Sequence, residues 1–149
     1  PSGATSANSR MRRTRLRATR WEKIRIREVV VIASAYDAQL ADLPLRRPVV
    51  PADSLPSRHL YVVHTRRRDA LQQALTQRGV QTLIHYPIPP HRQAAFEGWQ
   101  WSQDSYPVAE RLASETLSLP LGPHQDPTAT EAVVNGLRAC HAEGFLHTD

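Results

Sequence analysis

The residues best equipped for chemistry gather around one proline-rich loop. In HYPIPPHRQ, His85 and His91 flank Pro87, Pro89 and Pro90, and Tyr86 stands beside the first histidine. Proline fixes the backbone and lowers the entropy cost of holding these side chains in place. A stiff polar loop after a strand is a common place for ligand contacts, and a rigid connector with solvated histidines is the other reading. As metal ligands the two histidines would need a third partner, and no spaced Cys, His or Asp cluster supplies one, so no metal site is expected. The single cysteine, Cys140, cannot form an internal disulfide, and nothing near it suggests a nucleophile. Neither a G-x-S-x-G elbow nor a Gly-rich phosphate loop occurs. Phe96, Trp99 and Trp101 could stack a base or a sugar, but such a cluster more often closes the edge of a core, which is the reading adopted.

Those residues must be positioned by regular elements. HLYVVHT (59–65) is β-branched and aromatic and reads as a buried strand. Thr65 can cap a helix RRRDALQQALTQR with Ala70, Leu71, Ala74 and Leu75 on its apolar face, and Gly79 ends it. VQTLI (80–84) reads as a second strand feeding the loop. Residues 106–116 have helical spacing, with Val108, Ala109, Leu112 and Ala113 as the apolar face. LSLP is a short strand, and Asp126 caps a last helix with Pro127 at its first position and Val133, Val134 and Leu137 facing inward. Upstream, AYDAQLADL (35–43) is the end of an amphipathic helix with Tyr36, Leu40 and Leu43 on one side. Pro44, Pro48, Pro51 and Pro56 make an extended connection after it. The order is that of a small α/β (α+β) domain.

With 149 residues, 40% of them hydrophobic, the chain can bury one modest core. No apolar run reaches the length of a membrane span and no secretory signal is visible, so a cytoplasmic location is expected. The net charge of +5 is uneven. Residues 10–27 hold eight Arg and Lys23 against Glu22, a local +8, whereas the rest carries −3. A nucleic-acid partner is disfavoured, because the basic stretch has only Trp21 interleaved and fits no reader motif. The first half of the stretch lacks an apolar stripe and IRIREVVVI alternates like a strand, so the local signals disagree, and an irregular or helical Arg-rich linker is expected.

Taken in order, NSRM (8–11), AYDAQLADL, HLYVVHTRRRDALQQAL, RGVQTLIHYPIPPHRQAAF, YPVAERLASETLSLPLGPH and TATEAVVNGLRA resemble the DegT/DnrJ/StrS family of sugar aminotransferases. The likeness is collinear from about Ala35 to Ala139, and Gly79–Gln93, with its HYP-x-P-x-H-x-Q pattern, is its most specific part. The resemblance implies the fold of type I aminotransferases, which use pyridoxal 5′-phosphate (PLP), and a homodimer with active sites at the subunit interface. It implies that residues 58–142 are the small C-terminal domain, that 1–57 link it to a cofactor-bearing large domain absent from this sequence, and that 143–149 are a tail. The chain begins at Pro1, which fits a fragment. The family's Schiff-base lysine precedes the NSRM motif, whereas Lys23, the only lysine here, follows it, so no catalytic residue is assigned.

By the same resemblance, Asn8 matches the Asn that reaches the PLP phosphate of the neighbouring subunit, and Arg10 matches the Arg of the same motif, whose role lies near the active site. His85, Tyr86 and His91 fall in the segment near the nucleotide-sugar pocket. The wording TLIHYPIPPH is similar to enzymes that aminate 3-keto-6-deoxyhexoses on a dTDP carrier. The implied activity is transfer of an amino group from glutamate to a keto nucleotide-sugar in deoxyamino-sugar biosynthesis, with this chain inert by itself. Two rivals stand beside it: a non-catalytic module whose basic arm binds an acidic partner, and a PLP-dependent sugar dehydratase on the same fold. RRTRLRATRWEKIRIREVVV departs from the acidic, Leu/Ala-rich helix of relatives, and this Arg-rich wording is what off-frame reading of GC-rich DNA yields. On that reading the helix would be compromised; a true divergent insertion over residues 12–31 is the alternative.

Overall fold

The computed structural model describes residues 20–54 and 56–146, with the side chains of 20–26 left undescribed. Asn8 and Arg10 therefore lie outside the described residues, as does the side chain of Lys23. Helix α1 (Arg20–Gln39) leads into a proline-rich connector and strand β1 (Tyr61–His64). Helix α2 (Arg68–Gln77), a run of short 3₁₀ turns, helix α3 (Pro107–Glu115), strand β2 (Thr116–Leu119) and helix α4 (Pro127–Ala142) follow. The sheet is antiparallel, with Tyr61 opposite Leu119 and His64 opposite Thr116. Single bridges extend it on both sides, Arg46 beside His64 and Leu83 beside Ser118.

Of the irregular or helical linker expected before Ala35, the described part is helical: α1 is continuous from Arg20, although IRIREVVVI alternates like a strand. Ile32, Ala33, Tyr36 and Leu40 fall on one helical face and are all buried. Burying that face against α4 outweighs the weak local preference of a β-branched run. One core takes residues from Ile32 to Leu146, including Leu45 of the connector. Within it Gly136 lets α4 approach α2 closely: a methyl placed there would stand 3.3 Å from a Leu75 methyl and 3.4 Å from one of Val80.

Several elements match their sequence signals. Asp126 accepts a bond from the Thr128 N–H at 2.8 Å, capping α4 with Pro127 in its first turn. Gly79 has φ of 77° and closes α2. There the Val80 N–H reaches the Leu75 carbonyl and the Gly79 N–H that of Thr76, each at 3.0 Å, the paired bonds of a Schellman ending.

Three expectations need correction. Residues 80–84 form no strand, because the Val80 N–H is spent on closing α2 and only Leu83 pairs with β2. Thr65 does not cap α2. Its own N–H extends the sheet to the Glu115 carbonyl, and its hydroxyl accepts from the Arg67 N–H at 3.3 Å, while Arg67 holds the cap position without a side-chain bond. On α3, Val108 and Leu112 are exposed, at 60% and 44%. The C-terminal turn of α3 is held at α2, where the Arg68 guanidinium donates to the carbonyls of Ala113 and Thr116 at 3.1 and 3.3 Å.

A tyrosine pair ties α1 to the sheet. The Tyr36 hydroxyl donates to the Pro120 carbonyl at 2.9 Å, and the Tyr61 hydroxyl donates to Asp37 at 2.8 Å, with the rings 4.8 Å apart. Burial pushes the Tyr61 phenol up to about 12, and the Asp37 carboxylate adds to the rise. The folded state holds this proton more tightly than the unfolded chain does. Stability from Tyr61 is therefore complete below pH ~10 and is lost as pH rises toward ~12. Ultraviolet titration should show a late tyrosinate step that Tyr61→Phe removes, with a shallower alkaline loss of stability. A Tyr61→Phe curve superimposable on the parent would contradict this.

Candidate functional site

Side chains of a strand alternate between faces, so Tyr61, Val63, Leu117 and Leu119 fill the core while Val62, His64, Thr116 and Ser118 turn the other way. That second face carries a pair of imidazoles, each held by a hydroxyl of β2. His64 Nδ1 lies 3.2 Å from Thr116 Oγ1, and His85 Nδ1 lies 2.8 Å from Ser118 Oγ. Partial burial and the Arg46 charge pull the His64 pKa below its usual value, which favours a neutral ring at neutral pH.

His85 is half-buried where the chain leaves its bridge to β2 and enters the proline loop. Tyr86 follows it, 79% exposed, its ring 6.3 Å from that of His85. Its φ of 59° is left-handed, a conformation that costs a non-glycine residue and is rarer still before a proline. Among the described residues it is the one non-glycine with positive φ. The structure thus brings His85 and Tyr86 together at the sheet edge.

His91 sits apart from them, at the far end of the loop. It is 4% exposed, its Nε2 lies 3.1 Å from a Glu110 carboxylate oxygen, and its ring packs 4.8 Å from Tyr106. The His91 bond holds the Glu110 carboxyl below the usual range, with Arg92 adding to the effect. His91 thereby ties the loop to the start of α3. A cleft of about 390 Å³ opens beside it, lined by Ile88, Arg92, Gln93, Ser102 and Gln103 among others.

The aromatic trio does not close a core, contrary to the sequence reading. Phe96, Trp99 and Trp101 pack on one another with centroids 5.0–6.0 Å apart, yet Trp99 is 56% exposed. Phe96 lies in one 3₁₀ turn and Trp101 in the next, with Gly98, at a φ of 85°, and Trp99 between the two turns. Cys140 is fully buried in α4, and burial raises its thiol pKa, which keeps it protonated and unreactive. Among the described residues no group of three His, Cys, Asp or Glu is placed to hold a metal ion, and no helix is long and apolar enough to cross a membrane. Ser118 and Glu110, which fix the two loop histidines, were missed in the sequence. LSLP offered a signal for the first: its serine is the polar residue of an otherwise apolar strand.

The sequence model of the DegT/DnrJ/EryC1/StrS aminotransferase family matches residues 12–138. The chain belongs to this family. Its described elements form part of the α/β aminotransferase fold. Among curated members, the dTDP-3-amino-3,6-dideoxy-alpha-D-galactopyranose transaminase of Aneurinibacillus thermoaerophilus is 40% identical over 71% of this chain and 29% of its own length. The dTDP-3-amino-3,4,6-trideoxy-alpha-D-glucose transaminase of Streptomyces venezuelae is 41% identical over 72% of this chain and 28% of its length. Among solved structures, S. venezuelae DesV in complex with a ketimine intermediate superposes with a TM-score of 0.75 at 36% identity, covering 85% of this chain and 33% of that one. The chain thus spans about three-tenths of the length of the curated relatives it matches.

Proposed function

We propose that this chain is the small-domain part of a PLP-dependent aminotransferase that transfers an amino group from glutamate to a keto sugar carried on dTDP, in deoxyamino-sugar biosynthesis. The observation that carries the reading is the presentation of His85 and Tyr86 side by side at the sheet edge, in a chain 40% and 41% identical to transaminases of dTDP-3-amino sugars. In this reading residues 1–57 lead in from a large domain, 58–142 form the small domain and 143–149 a tail, and the whole enzyme is a cytoplasmic homodimer. The substrate is a dTDP-linked 3-keto-6-deoxyhexose. His85 and Tyr86 meet it, and His91 holds the loop that carries them.

PLP, when bound, supplies the electron sink for amino transfer. A Schiff base needs a lysine amine, and Lys23, the only lysine of this sequence, follows the NSRM stretch, whereas the family's lysine precedes it. Asn8, the candidate for the cofactor phosphate, and Arg10, the second cofactor-side candidate, lie outside the described residues. The chain alone is therefore proposed to be inert. What its residues do is bind and orient: a half-buried imidazole and an exposed phenol offer hydrogen bonds to sugar or phosphate oxygens.

The test is a chimera in which residues 35–149 replace the matching segment of the S. venezuelae transaminase. With PLP, glutamate and a dTDP-3-keto-6-deoxyhexose it should form the amino sugar, while the 149-residue chain alone should form none. A folded, PLP-loaded chimera that transfers nothing would sink the reading. Binding of the isolated chain to DNA with steep salt dependence would point instead to the basic-arm alternative.

A further inference from the structure

We propose that Ser118 is a positioning residue that holds the His85 imidazole with its proton on Nε2, so that the ring presents an N–H donor to an acceptor oxygen of the ligand. The inference rests on the functional reading only for what His85 meets. The placement of Ser118 is over-determined. Its backbone N–H donates to the Leu83 carbonyl at 2.8 Å and its carbonyl accepts from the Leu83 N–H at 3.1 Å, while Val62 faces it on β1. Residue 83 is therefore pinned to β2, and two residues later the chain delivers His85 to the Ser118 hydroxyl, 2.8 Å from Nδ1.

Ser118 is 3% exposed, and this decides which partner carries the proton between them. A hydroxyl has one hydrogen to give. Among the described residues, His85 Nδ1 is the partner of that hydroxyl. With the proton on Nδ1, the serine hydrogen would face no acceptor in a site closed to water. With the proton on Nε2, the serine donates to the Nδ1 lone pair and both groups are satisfied. An orphaned buried donor is unfavourable enough to shift the ratio of the two ring forms by about tenfold. The Nε2 edge, on the half-buried ring beside Tyr86, then recognises oxygen acceptors such as phosphate, carbonyl or hydroxyl oxygens and rejects donor groups.

The experiment is a long-range ¹H–¹⁵N spectrum of the ¹⁵N-labelled full chain, with His85→Gln used to assign the His85 signals. At a pH where the ring is neutral, the Nε2–H form should exceed the Nδ1–H form at least about tenfold. Ser118→Ala should reduce that ratio several-fold, and Ser118→Thr, which keeps the hydroxyl, should restore it. A predominant Nδ1–H form, comparable populations in the parent chain, or an unchanged ratio in folded Ser118→Ala would each overturn the proposal. If Ser118→Ala fails to fold, the parent and Ser118→Thr ratios decide. The measurement uses no ligand, so an intact ring preference in a chain whose chimera neither binds dTDP-sugar nor transfers an amino group would sink the functional reading alone.

Discussion

Leu137→Ala should lower the stability of the chain by about 2–5 kcal/mol, read from urea unfolding followed by circular dichroism. Leu137 is completely buried on α4, one residue from the glycine that lets α4 close on Leu75 and Val80. Truncation there removes apolar contact and leaves a cavity between helices held at that spacing, so the site relaxes little. The informative control is Leu112→Ala. Periodicity alone gives Leu112 and Leu137 the same standing, but Leu112 is 44% exposed on α3 and its truncation should cost under about 0.5 kcal/mol. Equal costs at the two positions would mean that α3 packs into the core after all.

That pair of leucines also marks how far the sequence could be read. The local grammar was legible: Gly79 ending α2, and Asp126 with Pro127 starting α4, act through their own neighbours and need no tertiary knowledge. Which apolar stripe is covered is a long-range fact. Val108 and Leu112 repeat at helical spacing as regularly as Val133 and Leu137, and only the fold leaves the first pair at the surface. The same holds for VQTLI, whose composition suits a strand while the helix ending takes the backbone group that a strand would use. In α1 the local wording was ambiguous, and its strand-like alternation is overruled by the core positions Ile32, Ala33 and Tyr36 that the helix supplies.

The candidate site divides along the same line. His85, Tyr86 and His91 were visible as polar residues in a proline-stiffened loop. What fixes them was not, because Ser118 lies 33 positions from His85 and Glu110 lies 19 from His91, and a single sequence does not reveal such pairings. With those partners in place the loop is tied at its start to β2 and at its end to α3. The three prolines stiffen the span between. A segment held at both ends can impose an unfavourable conformation on a residue inside it, and Tyr86 is the residue that bears it.

From this follows the prediction that separates a working loop from a mere connector. Tyr86→Gly should leave the chain more stable than Tyr86→Ala by about 1 kcal/mol, because glycine takes a φ of 59° without strain and alanine does not. Urea unfolding of the two variants measures the difference. Both substitutions remove the exposed ring, and in the chimera with the S. venezuelae large domain both should weaken binding of the dTDP-sugar at least about tenfold, the scale on which truncating an aromatic anchor acts. A connector that merely tolerates strain would show the stability difference while binding stays as it was. Strain kept for presentation of the ring shows both, since the variant with the relaxed backbone is then as poor a binder as the strained one. Undiminished binding in both variants would remove Tyr86 from the site and leave His85 to carry it.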